Sequence, residues 1–193
     1  MTRHPPSDIK MTIALIDSAA LPQDLLDALD VIKRYIDPAV LSDGAIDGFK
    51  HRVPDPAVPE KKMWVLVRTD IKMPIEKGMP QAGHGVLVSW LRGLFQNPVV
   101  ALGYLNEAQP KISVRIKKES DLHKAYRLCQ EANLPSVIIK DAARTWFPEP
   151  TYTVVCVGPC LRSDLPKFVK DLQLLVTEKP KAAEAEADEK GGN

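Results

Sequence analysis

The chain is poor in the residues that build covalent or metal-held structure. Of its 193 residues only three are cysteines, Cys129, Cys156 and Cys160. An odd number without C-x-x-C spacing argues against a disulfide framework or a zinc knuckle and for a reducing, cytoplasmic setting. The four histidines, His4, His51, His84 and His123, are scattered with no His or Cys partner at ligand spacing, so no metal is expected. No G-x-S-x-G elbow anchors a serine hydrolase, and no G-x-x-x-x-G-K-[ST] loop cradles nucleotide phosphates. No cofactor is therefore implied. No apolar run approaches the ~20 residues of a membrane span, and Met1–Met11 lacks an apolar signal core. Beyond Val176 there is no large apolar residue, so residues 177–193 are expected to form a disordered acidic tail that cannot offset its ordering entropy by burial.

What is present is a charge pattern and an alternation. Residues 1–60 carry six Lys and Arg against ten Asp and Glu, whereas 61–177 carry seventeen against ten. A basic central block between acidic flanks suits a polyanionic ligand, although basic domains are also common where no nucleic acid is bound. Residues 1–52 read as an acidic appendage with a short apolar run, Ile13–Ile16, and a helix from Pro22 to about Tyr35 with Leu25, Leu29 and Ile32 at helical spacing. It could shield the basic domain or bind an unidentified protein. Three prolines in residues 53–60 mark a stiff linker.

From residue 61 to 176 strand and helix patterns alternate. Strands are expected at Met63–Arg68, Lys111–Ile116, Ser136–Lys140 and Thr153–Val157. Helices are expected at Gly78–Leu94, Gln96–Leu105 and Ser120–Ala132, and a last one capped by Ser163 and reaching Leu172. The order β-α-(α)-β-α-β-β-α implies an α/β fold, a mixed four-stranded central sheet with helices on both sides.

Residues able to do chemistry gather at segment ends. Lys77, Gln81 and His84 are spaced 0, +4 and +7 and share a helical face, with Met79, Val86, Leu87, Trp90 and Leu94 read as the opposite, packed face. That polar face is either a site or a solvated surface. Lys77 near a helix N-terminus would favour an anion. Asp141 follows an apolar strand and precedes Arg144 and Thr145. It either orients a water as a general base or caps a turn.

These segments resemble one family. Arg68-Thr-Asp-Ile-Lys-Met73, Lys77 with Gln81 and His84, Gln109-Pro-Lys-Ile112, Asp141-Ala-Ala-Arg-Thr145 and Thr153-Val-Val-Cys-Val-Gly-Pro159 occur in the order and spacing of the type II peptidyl-tRNA hydrolases, across residues 61–175. The resemblance implies a three-layer α/β/α fold, often dimeric. It also implies hydrolysis of the ester joining a peptide to tRNA, with peptidyl-tRNA as the partner. By position it implies Lys77, Asp141, Thr145 and Thr153 as catalytic residues, and Gln81 and His84 as further site residues. Arg68, Lys72, Lys111, Lys140 and Arg144 could then supply phosphate contacts. Departures cluster at one turn: Pro74-Ile75-Glu76 replaces a Gly- and Lys-rich turn, Pro80 follows, and Ala143 replaces a glycine. Trp146-Phe147 could stack on a base or pack. These departures leave a second reading, a divergent non-catalytic paralogue that binds tRNA or a protein.

Overall fold

The computed structural model describes residues 58–175, together with Asp27, Asp30 and 34–36. Of the helix expected over Pro22–Tyr35, the described Asp27, Asp30, Arg34 and Tyr35 are helical; the run Ile13–Ile16, most of the linker and the tail lie outside the described residues.

Four strands form one mixed sheet in the order β2-β1-β4-β3: β1 (Lys61–Arg68), β2 (Lys111–Ile116), β3 (Ser136–Asp141) and β4 (Thr151–Leu161). β1 and β2 are parallel, with Met63 opposite Lys111 and Arg68 opposite Ile116, while β4 runs antiparallel between β1 and β3. The helices are α1 (Ile75–Gln96), α2 (Pro98–Asn106), α3 (Glu119–Glu131) and the short α4 (Lys167–Lys170). The expected element order and sheet are therefore present, with β4 extending well past the expected Val157.

Strand alternation divides β1 between two layers. Trp64 and Leu66 join Val114, Val155 and Val157 under Leu122, Ala125 and Cys129 of α3, and Val169 of α4 closes the same core. Val65, with Val67 beside it, packs with Val137 and Cys156 against Ala82, Val86 and Val88 of α1. Helix α3 starts with Glu119 and Asp121 in its first turn, where the helix dipole favours acids. It stops at Asn133, which adopts φ 54° while Leu134 N–H donates to the Cys129 carbonyl at 2.9 Å.

Three expectations are corrected. Helix α1 begins at Ile75, five residues before Pro80, rather than at Gly78. Pro80 removes one backbone donor, which would have met the Glu76 carbonyl, and Glu76 is exposed, so water can serve that carbonyl. The expected last helix is instead a 3-10 turn, Arg162–Asp164, followed by α4. Leu165 precedes Pro166 and sits at ψ 141°, the extended conformation that a following proline imposes.

The third correction concerns the packed face of α1. Its buried residues are Gln81, Gly85, Ser89 and Gly93, at strict four-residue spacing, whereas Met79 and Leu87 are 67% and 58% exposed. The sequence reading placed the large apolar side chains inward; the helix packs through its small ones. A Cβ at Gly85 would collide with the Cys156 thiol and lie 3.2 Å from the Cys156 Cβ, and one at Gly93 would lie 3.0 Å from Pro159. Ser89 adds a polar tie: its single hydroxyl hydrogen points to the Gly158 carbonyl at 2.7 Å, with the Pro135 carbonyl at 3.2 Å as a second acceptor. Gly158 itself needs its freedom, with φ 103° and the Lys62 carbonyl 2.6 Å from where a Cβ would stand.

Gly85→Ala is expected to destabilise the domain by about 1–2 kcal/mol in urea unfolding, because overpacking outweighs alanine's better helix propensity. Adding Cys156→Ala should recover part of that loss, since it removes the sulfur in the way.

Candidate active site

The connection from β1 to α1 carries the chain across the carboxyl ends of β1 and β3, the usual place for a site in an open α/β sheet. Lys72 takes φ 47° in this connection, and Pro74, with no N–H of its own, serves as the N-cap of α1. The i, i+4 series that packs α1 on the sheet runs back from Gly93 through Gly85 to Gln81 and then Lys77. The same close approach thus delivers two polar side chains to the end of β3.

There they meet Asp141, which is 5% exposed. Its Oδ2 accepts from Lys77 Nζ at 2.6 Å and from Gln81 Nε2 at 2.8 Å, and its Oδ1 accepts from the Ala143 backbone N–H at 2.9 Å. Burial alone would raise the Asp141 pKa. The Lys77 ammonium, the Ala143 N–H and the Gln81 amide more than offset it, and the net direction is downward from 3.8. Asp141 is therefore a carboxylate at neutral pH. Ala143 reaches it by adopting φ 59°, a left-handed conformation for which alanine carries a steric cost.

The network extends in two directions. Lys77 Nζ also donates to Thr145 Oγ1 at 2.9 Å, which leaves the Thr145 hydroxyl hydrogen free to donate elsewhere. On the other side Thr153 Oγ1 donates to Gln81 Oε1 at 3.0 Å. Thr153 reaches Gln81 through a bulge: Ile139 pairs with Val154 and Lys140 with Tyr152, so Thr153 is the extra residue of β4. Bulges of this kind re-aim a side chain beside a site. Lys77, Gln81, Asp141, Thr145 and Thr153 thus form one contiguous set of hydrogen bonds.

The other residues singled out from the sequence lie elsewhere. His84 is exposed, without a hydrogen bond or ion pair to this set. Arg68 is 7% exposed on the face of the sheet that α3 covers; its guanidinium binds Asp70 at 2.5 and 3.0 Å, Glu119 at 2.5 Å and the Tyr152 carbonyl at 3.1 Å. Its hydrogen-bonding groups are engaged in joining β1 to α3. Lys111 opens β2 opposite Met63, at the far end of the strands, and donates to the Gln109 carbonyl. Arg144 is exposed beside Thr145. The aromatic pair divides: Phe147 is buried and packs, while Trp146 is 53% exposed.

An ionised carboxylate held by a lysine, an amide and a backbone N–H, with a free hydroxyl donor alongside, can orient a water and stabilise negative charge on an adjacent oxygen. Among the described residues no group of three His, Cys, Asp or Glu could hold a metal ion, and no helix is long and apolar enough to cross a membrane.

Comparison with known proteins places the domain in a family. The family model described as peptidyl-tRNA hydrolase PTH2 matches residues 61–175. A peptidyl-tRNA hydrolase of Methanocaldococcus jannaschii is 32% identical over 114 residues, which are 59% of this chain and 99% of that protein. One of Sulfurisphaera tokodaii is 34% identical over 125 residues, covering 59% of this chain and 98% of the relative. A probable peptidyl-tRNA hydrolase 2 of Drosophila melanogaster is 32% identical over 114 residues, 59% of this chain and 61% of that one. Over the domain that holds the Lys77–Asp141 network, the chain belongs to the PTH2 family of peptidyl-tRNA hydrolases.

Proposed function

We infer that the domain at 61–175 hydrolyses the ester of peptidyl-tRNA, releasing the peptide and a reusable tRNA. Family membership supports the reaction. The observation that carries the mechanism is the contact of Lys77 with the buried carboxylate of Asp141 at 2.6 Å.

In this reading Asp141 orients a water against the ester carbonyl and takes its proton as the water oxygen bonds to carbon. Lys77 stabilises the oxyanion that forms, and does so in a partly water-excluded setting where a charge interaction is stronger than in bulk. Collapse breaks the bond to the ribose oxygen, which receives the proton, and leaves a peptide carboxylate. Thr145 offers its hydroxyl hydrogen to the substrate or the water. Gln81 and Thr153 act behind Asp141, fixing the carboxylate plane through the amide. Gln81 is then a positioning residue rather than a substrate contact. Arg144, Lys72 and Lys140 are exposed and suit phosphate contact, and His84 lies on the open side of the same helix. The same reading includes a cytoplasmic setting, where translation supplies the substrate, and a homodimer. A protein partner for the acidic N-terminal segment also belongs to it.

Asp141→Asn and Lys77→Ala are each expected to lower single-turnover hydrolysis of N-blocked aminoacyl-tRNA at least about 100-fold. Near-normal rates in either purified variant would remove that residue from the mechanism.

The pH dependence follows from the depressed Asp141 pKa. The carboxylate's contribution is fully present above its ordinary value of 3.8 and is lost as pH falls through the lower folded-state value. The acid limb of kcat/KM should therefore lie below the usual carboxylate range. Gln81→Ala removes a donor to the carboxylate and should move that limb upward; an unmoved limb would mean that Gln81 does not tune Asp141.

A further inference from the structure

The first turns of α1 have two flanks. One presents Lys77 and Gln81 to Asp141. Against the other lies an open cavity of about 500 Å³ on the same side of the sheet and at the same strand ends. Helix α1 packs chiefly on β4 and β3 and less on β1, so it leaves the sheet open toward β2. The floor of the cavity is Val65 and Val67 of β1 and Ser113 of β2, and Met73, Gly78 and Ala82 form the wall on the helix side. Leu175 closes the far side. It is held there because the segment after α4 pairs with the edge of β2, with Arg115 N–H donating to the Gln173 carbonyl and Leu175 N–H to the Ser113 carbonyl, both at 2.9 Å.

We propose that this hollow receives an apolar side chain of the peptide carried by the tRNA, about three residues from the ester. The inference rests on the peptidyl-tRNA hydrolase reading, because it assigns a place to the acyl part of that substrate. The lining is mostly apolar, with Arg68, Thr69, Lys72 and Ser113 as its polar members, which suits a hydrocarbon side chain. The distance also fits: an α-helix is about 10 Å across with its side chains, and an extended peptide advances about 3.3 Å per residue. An ester held beside the Lys77–Asp141 pair therefore places its third residue on the opposite flank of the helix start. Residues 177–193 contain no large apolar side chain and do not suit the space.

The test compares acetyl-Leu-Gly-Gly-tRNA with acetyl-Gly-Gly-Gly-tRNA. The full chain should show kcat/KM about tenfold higher, or more, for the leucyl substrate. Ser113→Phe places an aromatic ring in the hollow from an exposed position on β2, a strand that supplies none of the five networked residues. It should bring the ratio close to one while leaving the rate on the glycyl substrate unchanged, which also reports an intact fold. Met79→Ser, on the helix rim, should lower the ratio in the same sense. Equal rates for the two substrates in the full chain would overturn the inference and leave the hydrolase reading standing. So would a Ser113→Phe variant that slows both substrates equally. No hydrolysis of either substrate by the full chain would overturn the reading and the inference together.

Discussion

Along its middle and last turns helix α1 meets the sheet through side chains of two heavy atoms or none. Gly85 against Cys156, Gly93 against Pro159 and Ser89 between two carbonyls set its distance from the sheet. The helix's share of the site is a continuation of the stripe they form. One turn before Gly85, the same approach lets a glutamine reach across to the end of β3, and one turn earlier still it lets a lysine do so. A bulkier residue in the stripe would push the helix outward along its length. The amide and ammonium would then lose a carboxylate they now meet at 2.8 and 2.6 Å. Packing and catalysis are thus parts of one constraint, because the residues that fix the helix and those that act lie on a single line of its surface.

The carboxylate they meet is buried, which by itself would favour its neutral form. Three donors reverse that preference: two side chains one turn apart on α1 and a backbone N–H turned inward by the left-handed Ala143. The arrangement keeps a negative charge in a place largely closed to water. The price is a backbone conformation that alanine tolerates poorly. Arg68 shows the contrasting use of charge on the opposite face of the sheet, where its guanidinium joins Asp70 and Glu119 to hold β1 and α3 together.

Much of the fold was legible from residue order, because Val- and Ile-rich runs and the prolines and Asn133 that end elements are local signals. Lys111–Ile116 appears with the bounds read from the sequence. The packed face of α1 was not legible. Pattern reading turns the largest apolar side chains inward, but close packing can favour the smallest, and only the neighbouring strand decides. Lys77, Gln81, His84, Asp141, Thr145 and Thr153 were marked through the family resemblance, and the structure brings all of them but His84 together. Arg68 and Lys111, marked for their charge, lie apart from them. Charge in a sequence does not say which end or which face of a strand a residue occupies.

The extra residue at Thr153 has one more consequence. A strand keeps its phase by alternating sides, and β4 slips by one step at this point. Tyr152, on the near side of the slip, belongs to the layer of α3, where its ring meets the edge of His123 at 4.5 Å, while Thr153 belongs to the layer of α1. Two successive residues thus serve as the border between two compartments. On one side of the border the strand contributes to the scaffold and on the other to the chemistry, and deleting Thr153 would leave Tyr152 paired with Lys140 on its own face while removing the hydroxyl that meets Gln81.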